Sequence, residues 1–239
     1  MTDRIDRATR QDVYAWIDRR FDDFVEELRA YARVPTISAR REAEAEGADA
    51  TRALLERQGI QVRLMDVPGG PPLVVGEVAG ASAGPPLILY NHYDVQPVDP
   101  VEQWRRAPFD PVVEDGKLFA RGVADTKGNT AAQAFAQAAV REVVGHLPVS
   151  LRFMVEGEEE VGSPHLPAFA RQHPALFKGA GATIEGAGHT PQGVPEVYLG
   201  SKGIKILDRD ATTLVADPAD TFGGPMRFTT AAVPGDPRD

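Results

Sequence analysis

Apolar positions near the start of the chain recur every three or four residues, which is the spacing of a helix that buries one face. The pattern predicts a helix over residues 10–33 that ends before Pro35, because proline cannot continue a helix. A polar stretch then leads into a second helix, which is predicted to end near Gln58. The apolar face of the first helix comprises Val13, Ile17, Phe21, Phe24, Leu28 and Tyr31.

From residue 61 onward, short segments with strand character alternate with helical patterns. The dipeptide Asp115-Gly116 predicts a hairpin over 110–121, because these residues accept the backbone angles of a tight turn. The alternation predicts an α/β fold, namely a layered α/β/α domain with a mixed, mostly parallel sheet. The predicted strands cover 61–67, 73–78, 87–91, 150–155 and 182–185, and the later predicted helices cover 126–145 and 164–173.

The pattern changes after Ile206. The last segment contains four prolines and six aspartates without a sustained helical or strand period, so no regular structure is predicted for it. We therefore divide the chain into a domain over 1–206 and an irregular tail over 207–239.

Composition narrows the classes of function. The chain has 239 residues, with 26 Lys+Arg against 35 Asp+Glu, and the resulting net charge of −9 disfavours binding of nucleic acid or anionic lipid through bulk charge. It has no cysteine, so a bound metal would need His, Asp and Glu ligands. The sequence shows neither a signal-peptide pattern nor a run of about 18 apolar residues, so a cytoplasmic protein is expected.

Two clusters of polar side chains follow predicted strands, where open α/β sheets place their ligands. His92 and Asp94 lie two residues apart, so in an extended chain the carboxylate can hold one ring nitrogen while the other binds a metal. Taken alone, such a pair is more common on protein surfaces than in metal sites. Asp125 precedes the predicted helix over 126–145, and taken alone it is best interpreted as the N-cap of that helix.

The third cluster, Glu156–Glu160, has four carboxylates in five residues directly after an apolar strand. These carboxylates should repel one another, and divalent cations would relieve the repulsion. Crowding would also raise the pKa of a carboxylate left without metal, which suits a general base near neutral pH. Together the clusters point to metal-assisted hydrolysis of an amide or peptide bond with Zn²⁺, Mn²⁺ or Co²⁺.

In order and spacing, the clusters resemble the signatures of the M20 metallopeptidase family. The matching phrases are His92-Tyr-Asp94-Val-Gln-Pro, Gly122-Val-Ala-Asp125-Thr-Lys-Gly and Glu159-Glu160-Val-Gly-Ser. The resemblance implies a hydrolase that cleaves dipeptides or C-terminal residues, and HYDVQPVDPVEQW is most similar to the dipeptidase branch. An N-acyl amino acid deacylase of the same family and an inactive metal-binding fragment are the alternatives.

The resemblance also implies two divalent metal ions, zinc first and manganese or cobalt as alternatives. Asp125 would bridge both ions, and its peptide bond to Thr126 would be cis. Glu160 and Glu185 would bind opposite ions. The implied metal ligands are thus His92, Asp125, Glu160 and Glu185, and the implied catalytic residues are Asp94, which orients the His92 ring, and Glu159, the general base.

The family also has features that this sequence does not match. Its members carry a smaller lid domain, through which they dimerise, and a last metal ligand, a histidine, near the C-terminus. The last histidine here is His189, so we expect both to be missing and interpret 207–239 as a truncated or frame-shifted start of the lid. A weak or inactive enzyme is expected. Its expected partner is a small peptide or N-acyl amino acid substrate, without nucleic acid or membrane.

Overall fold

The computed structural model describes residues 7–184 and, nearer the C-terminus, the backbone of three short strands. The chain divides into two compact units, Met1–Glu185 and Gly186–Asp239. Within the described residues, no helix combines the length and the apolar character needed to cross a membrane.

Two helices open the first unit, α1 over Arg7–Ala32 and α2 over Glu44–Arg57, as the sequence predicts. Phe24 of α1 stacks on Phe135 of a later helix, with ring centroids 4.0 Å apart. The predicted apolar face is wrong at one position, because Phe21 is 58% exposed. The buried face of α1 is therefore narrower than the spacing of apolar residues indicates.

The centre of the first unit is a mixed five-stranded sheet. Its strands are β1 Gln61–Met65, β2 Leu73–Val78, β3 Leu87–His92, β6 Leu151–Glu156 and β7 Gly181–Thr183, and they lie in the order β1-β2-β6-β3-β7. Only β2 runs against the other four strands, because it pairs antiparallel with both β1 and β6 while β3 pairs parallel with β6 and β7. The sheet is thus mostly parallel in direction, as predicted. The other elements of this unit are β4 Val112–Glu114, β5 Lys117–Phe119, α3 Gly128–Val144 and α4 Leu166–Gln172.

Alternate residues of the central strands face two separate cores, which produces the predicted α/β/α layers. The larger core packs α1, α2 and α3 on one face of the sheet, and the smaller core packs α4 on the other. The period of two along each strand explains the division. Strand residues in the larger core include Val74, Leu89, Phe153 and Val155, and those in the smaller core include Leu73, Val75, Ile88 and Met154.

The predicted hairpin is formed by β4 and β5, which pair antiparallel on either side of Asp115 and Gly116. Both turn residues have positive φ, 50° and 71°. This is the geometry of the two-residue turns that match the twist of the flanking strands, and Asp-Gly is one of the few dipeptides that adopt it readily.

The second unit contains a three-stranded antiparallel sheet of order β10-β9-β8. Its strands are β8 Ile206–Arg209, β9 Thr213–Ala216 and β10 Arg227–Thr229. The expectation of no regular structure after Ile206 is therefore wrong for the described part of this segment. Strands of three or four residues are too short to show a period of two, and they form through pairing with one another. The division at residue 206 stays a prediction.

Candidate metal centre

Two parallel strands bring the predicted clusters to one edge of the sheet. His92 ends β3 and Glu156 ends β6, and the two residues are direct register partners. The segments that follow each strand therefore start side by side at the carboxyl edge, where α/β sheets place their sites. Glu185, the predicted ligand after β7, lies outside the described residues.

Three of the predicted ligands meet at this edge. One ligand atom from each of His92, Asp125 and Glu160 lies within 4.8 Å of the other two. An imidazole nitrogen with two carboxylate oxygens is a donor set that Zn²⁺, Mn²⁺ and Co²⁺ accept. The residues present therefore fit a divalent cation.

The His92 ring is buried, and each of its two nitrogens lies close to an oxygen atom of an aspartate. Its Nδ1 lies 3.0 Å from the backbone oxygen of Asp94 and 3.2 Å from Oδ1 of the same residue, while its Nε2 lies 3.0 Å from Asp125 Oδ1. When Nδ1–H donates to Asp94, the lone pair of Nε2 faces the carboxylate cluster. This is the tautomer that a metal-binding histidine needs, and it is fixed in the usual way by a hydrogen bond to the other nitrogen.

Asp94 has a second contact that sequence reasoning missed. Asp94 is 1% exposed, and its carboxylate accepts hydrogen bonds from the backbone N–H of Glu159 at 3.2 Å and from that of Glu160 at 3.0 Å. One buried carboxylate therefore joins the end of β3 to the acidic turn after β6. Sequence spacing showed only the contact between neighbours, His92 and Asp94.

Asp125 does not cap α3, so the interpretation of this residue taken alone is wrong. The helix begins at Gly128 without a side-chain cap, and Asp125 itself has the non-helical angles φ −133° and ψ 95°. Its carboxylate contacts His92 instead. The peptide bond to Thr126 is cis, as the family resemblance implies. The Asp125 side chain is 64% exposed, so the cluster is open to solvent on this side.

Lys127 anchors the loop that carries Asp125. The side chain is fully buried, its Nζ donates to the backbone oxygen of Val34 at 2.6 Å, and it lies 5.3 Å from the centre of the Tyr31 ring. Burial lowers the pKa of this ammonium group to about 7, and attraction to Asp94 opposes the shift. The contact ties the loop to the segment directly after α1.

The acidic turn directs two of its carboxylates toward the cluster. Glu159 Oε2 lies 3.8 Å from His92 Nε2, and Glu160 Oε2 accepts a 2.6 Å hydrogen bond from Gln96 Nε2. Burial is the main cause of the raised pKa of Glu160, and repulsion by Asp125 contributes less. The expected crowding of carboxylates is thus present, but desolvation outweighs it.

Gln96 orients a candidate ligand, so its loss should weaken metal binding. Replacing Gln96 by Leu is expected to lower Zn²⁺ affinity about 10–100-fold, as losses of such supporting hydrogen bonds do. Titration calorimetry of the metal-free chain measures the effect, with Gln103→Leu at an exposed position as the matched control. Equal affinities in the two variants would contradict a supporting role for Gln96.

Glu156 is a second buried carboxylate that sequence reasoning left without a role. It is 5% exposed, and its Oε1 accepts hydrogen bonds from the Tyr90 hydroxyl and from Ser163 Oγ, the latter at 2.7 Å. Burial raises its pKa, although both hydrogen bonds oppose the shift. These contacts close the acidic turn at its base, since Ser163 follows the turn and Glu156 precedes it.

The raised pKa of Glu156 predicts a pH-dependent stability. Above pH 4.5, the ordinary value, the folded carboxyl keeps a proton that the unfolded chain has lost, so stability falls as the pH rises toward the folded pKa. Glu156→Gln retains an acceptor for Tyr90 and Ser163. We expect this variant to be more stable than the wild type at pH 7 and to lose that part of the pH dependence.

Urea denaturation between pH 4 and pH 8 measures this effect, with Glu102→Gln at an exposed position as the control. An unchanged pH dependence of the free energy of unfolding in the Glu156 variant would contradict the prediction.

Comparison with known proteins identifies the family. The sequence profile of peptidase family M20/M25/M40 matches residues 88–216, which include every described residue of the cluster. A beta-Ala-His dipeptidase of Homo sapiens is 28% identical over 91% of this chain and 46% of its own length. An N-formyl-4-amino-5-aminomethyl-2-methylpyrimidine deformylase of Halalkalibacterium halodurans is 32% identical over 64% of this chain and 36% of its own length.

Among solved structures, an M20 family metallo-carboxypeptidase from Sulfolobus solfataricus superposes with a TM-score of 0.66 and 34% identity. The match covers 71% of this chain and 38% of that one. The chain thus spans less than half the length of each of these relatives. The family profile covers more than half of the chain, from β3 through the acidic turn and into β9. On this match, together with the mixed α/β sheet and the cluster at its carboxyl edge, the chain belongs to peptidase family M20/M25/M40.

Proposed function

We propose that this chain carries the metal centre of a hydrolase that cleaves the peptide bond of dipeptides or of C-terminal residues. The observation that carries the proposal is the meeting of His92, Asp125 and Glu160 with Glu159 beside them. These three residues would hold divalent metal, with Glu185 as a further ligand and Asp125 shared between two ions. A metal bound there would polarise the scissile carbonyl and lower the pKa of a water molecule.

Glu159 is proposed as the general base. It adjoins a ligand, Glu160, and its Oε2 lies 3.8 Å from Nε2 of His92, at the edge of the metal cluster. A carboxylate in this place can take a proton from the attacking water and return it to the leaving amine. The hydroxyl is then added to the carbonyl carbon and the proton to the nitrogen, so that the C–N bond is broken by one water.

Asp94 is proposed to position the groups that carry out the reaction. Its carboxylate contacts Nδ1 of His92 and the backbone N–H groups of Glu159 and Glu160. It would thus fix the ligand tautomer and the place of the base together. Neither function requires Asp94 to touch the substrate.

Two relatives support different substrates. The human relative is a dipeptidase by name, and the deformylase by name acts on an N-formyl amide, so cleavage of an N-acyl group is the second candidate. Both reactions hydrolyse an amide bond and can use the same residues. We favour the dipeptide because the dipeptidase match extends over more of this chain.

A substrate panel tests the proposal. The purified 239-residue chain is stripped of metal, reloaded with Zn²⁺, Mn²⁺ or Co²⁺, and assayed on dipeptides, on dipeptides with a blocked C-terminus and on N-acyl amino acids. We expect weak, metal-dependent hydrolysis of free dipeptides. A preference for N-acyl substrates would favour the deacylase, whereas metal binding without hydrolysis of any substrate would overturn the enzyme proposal.

A further inference from the structure

The three consecutive carboxylates of the acidic run, Glu158, Glu159 and Glu160, point to two sides of the turn. Glu159 and Glu160 face the metal cluster, whereas Glu158 points away from it and contacts His165. The chemistry proposed above uses only the first pair. The contact made by Glu158 therefore needs a separate explanation.

The Glu158 carboxylate is paired and enclosed. His165 Nδ1 lies 2.8 Å from its Oε2 and 3.1 Å from its Oε1, and Glu158 is only 8% exposed. Removing the charged or polar partner of a buried carboxylate strongly destabilises it, so the turn is held where the contact with His165 can form.

A glycine turn covers the pair. A Cβ atom on Gly70 would lie 2.9 Å from Glu158 Oε2 and 3.1 Å from His165 Nδ1. At Gly69, where φ is +85°, a Cβ atom would lie 3.0 Å from His165 Nε2. The segment between β1 and β2 thus packs its backbone directly on the pair, at a distance that a larger residue would not allow.

The backbone of Glu158 fixes the same turn from within. Its carbonyl oxygen accepts the N–H of Val161 at 3.2 Å and that of Ser163 at 2.8 Å. On the opposite side, the N–H groups of Glu159 and Glu160 donate to Asp94. The turn is therefore held on two sides. The Glu158 side chain contacts His165, and the N–H groups of the next two residues donate to Asp94.

We propose that the Glu158–His165 pair is a positioning element that holds the acidic turn so that Glu159 and Glu160 reach the metal cluster. Because Glu158 directly precedes Glu159, a shift of its backbone moves both functional carboxylates. The inference rests on the proposed function only for the roles of Glu159 and Glu160. Neither member of the pair is among the residues proposed above to hold metal or to act on the substrate.

Amide hydrogen exchange in the metal-free full chain tests the proposal, read by NMR at the N–H groups of Glu159 and Glu160. We expect Glu158→Leu and His165→Ala to speed exchange at these amides about tenfold or more, while the amides of β6 keep their wild-type rates. His165→Gln, which can still donate to the carboxylate, should restore slow exchange. His146→Ala, at an exposed histidine after α3, is the matched control and should match the wild type.

A further variant disturbs the pair while keeping both side chains, so that its effect is not caused by the loss of a buried partner. Gly70→Ala pushes a methyl group against the pair without removing either side chain, and it should speed exchange at the same two amides. Unchanged exchange in these variants would overturn the proposal, and so would equal acceleration throughout β6, since that would indicate general destabilisation.

Zn²⁺ titration of the same variants separates this inference from the proposed function. We expect the loss of the pair to weaken Zn²⁺ binding about tenfold, since a supporting contact of a ligand is lost. A wild-type chain that binds no Zn²⁺ would overturn the proposed metal centre, whereas the exchange rates of the metal-free protein would still decide the role of the pair. Wild-type Zn²⁺ affinity in both His165→Ala and Glu158→Leu would overturn the inference.

Discussion

Replacing Asp125 by alanine is expected to lower the affinity of the chain for Zn²⁺ by more than about a hundredfold, because a direct ligand contributes more than the supporting residues whose loss costs 10–100-fold. Asp125 is the best position for this test. His92 is fully buried, so replacing it would also disturb packing, whereas the Asp125 side chain is 64% exposed. Titration calorimetry with Zn²⁺ and Mn²⁺ on the metal-free chain measures the loss.

The control is Glu102→Ala, which removes one exposed carboxylate from a short helical turn outside the cluster. Both variants remove one negative charge, so a loss of Zn²⁺ affinity in the Asp125 variant alone indicates a lost ligand and not a general effect of charge. Wild-type affinity in the Asp125 variant would refute the assignment of this residue as a ligand.

Glu159→Gln is expected to lower turnover by about a hundredfold or more, which is the usual contribution of a general base, while Zn²⁺ affinity stays near the wild-type value. The reason is that glutamine preserves the shape of the side chain but cannot accept the proton of water. Turnover is measured with the substrate that the wild-type chain hydrolyses fastest in the panel, and metal affinity is measured in parallel.

The neighbouring Glu158→Gln variant is the matched control. Its amide oxygen can still accept a hydrogen bond from His165, so only one hydrogen bond is weakened. Turnover should therefore fall severalfold at most. If Glu158→Gln abolished turnover and Glu159→Gln did not, the general base would be Glu158 and not Glu159.

The acidic run shows most clearly where sequence reasoning stops. Four carboxylates after an apolar strand predict an unusual site, but the sequence alone does not show which of Glu158 and Glu159 faces the metal cluster. That separation depends on the turn at Glu159–Val161, which directs one residue to His165 and the next toward His92. A shift of one position in such a turn would exchange the residue that contacts His165 for the residue that faces His92.

Asp125 illustrates the opposite limit. Local rules favour an N-cap at this position, and they fail because the chain between Gly122 and Gly128 leaves helical geometry, with a cis peptide bond after Asp125. The family motif predicts that Asp125 shares a site with His92, and the two side chains are in contact. For Gln96, the sequence showed its position in the motif, but only the structure showed its hydrogen bond to Glu160.

The sequence by itself determined the order and type of the elements in the first unit, the hairpin at Asp115-Gly116 and three polar clusters after strands. These features depend on local periods of apolar residues and on the backbone preferences of neighbouring residues, which a linear chain displays. Strand order, which makes β3 and β6 neighbours, was decided by the tertiary structure, and so were the two contacts of Asp94 and the pairing of Glu158 with His165. Such contacts join residues up to 66 positions apart, and they depend on packing and on desolvation in three dimensions, which no local pattern records.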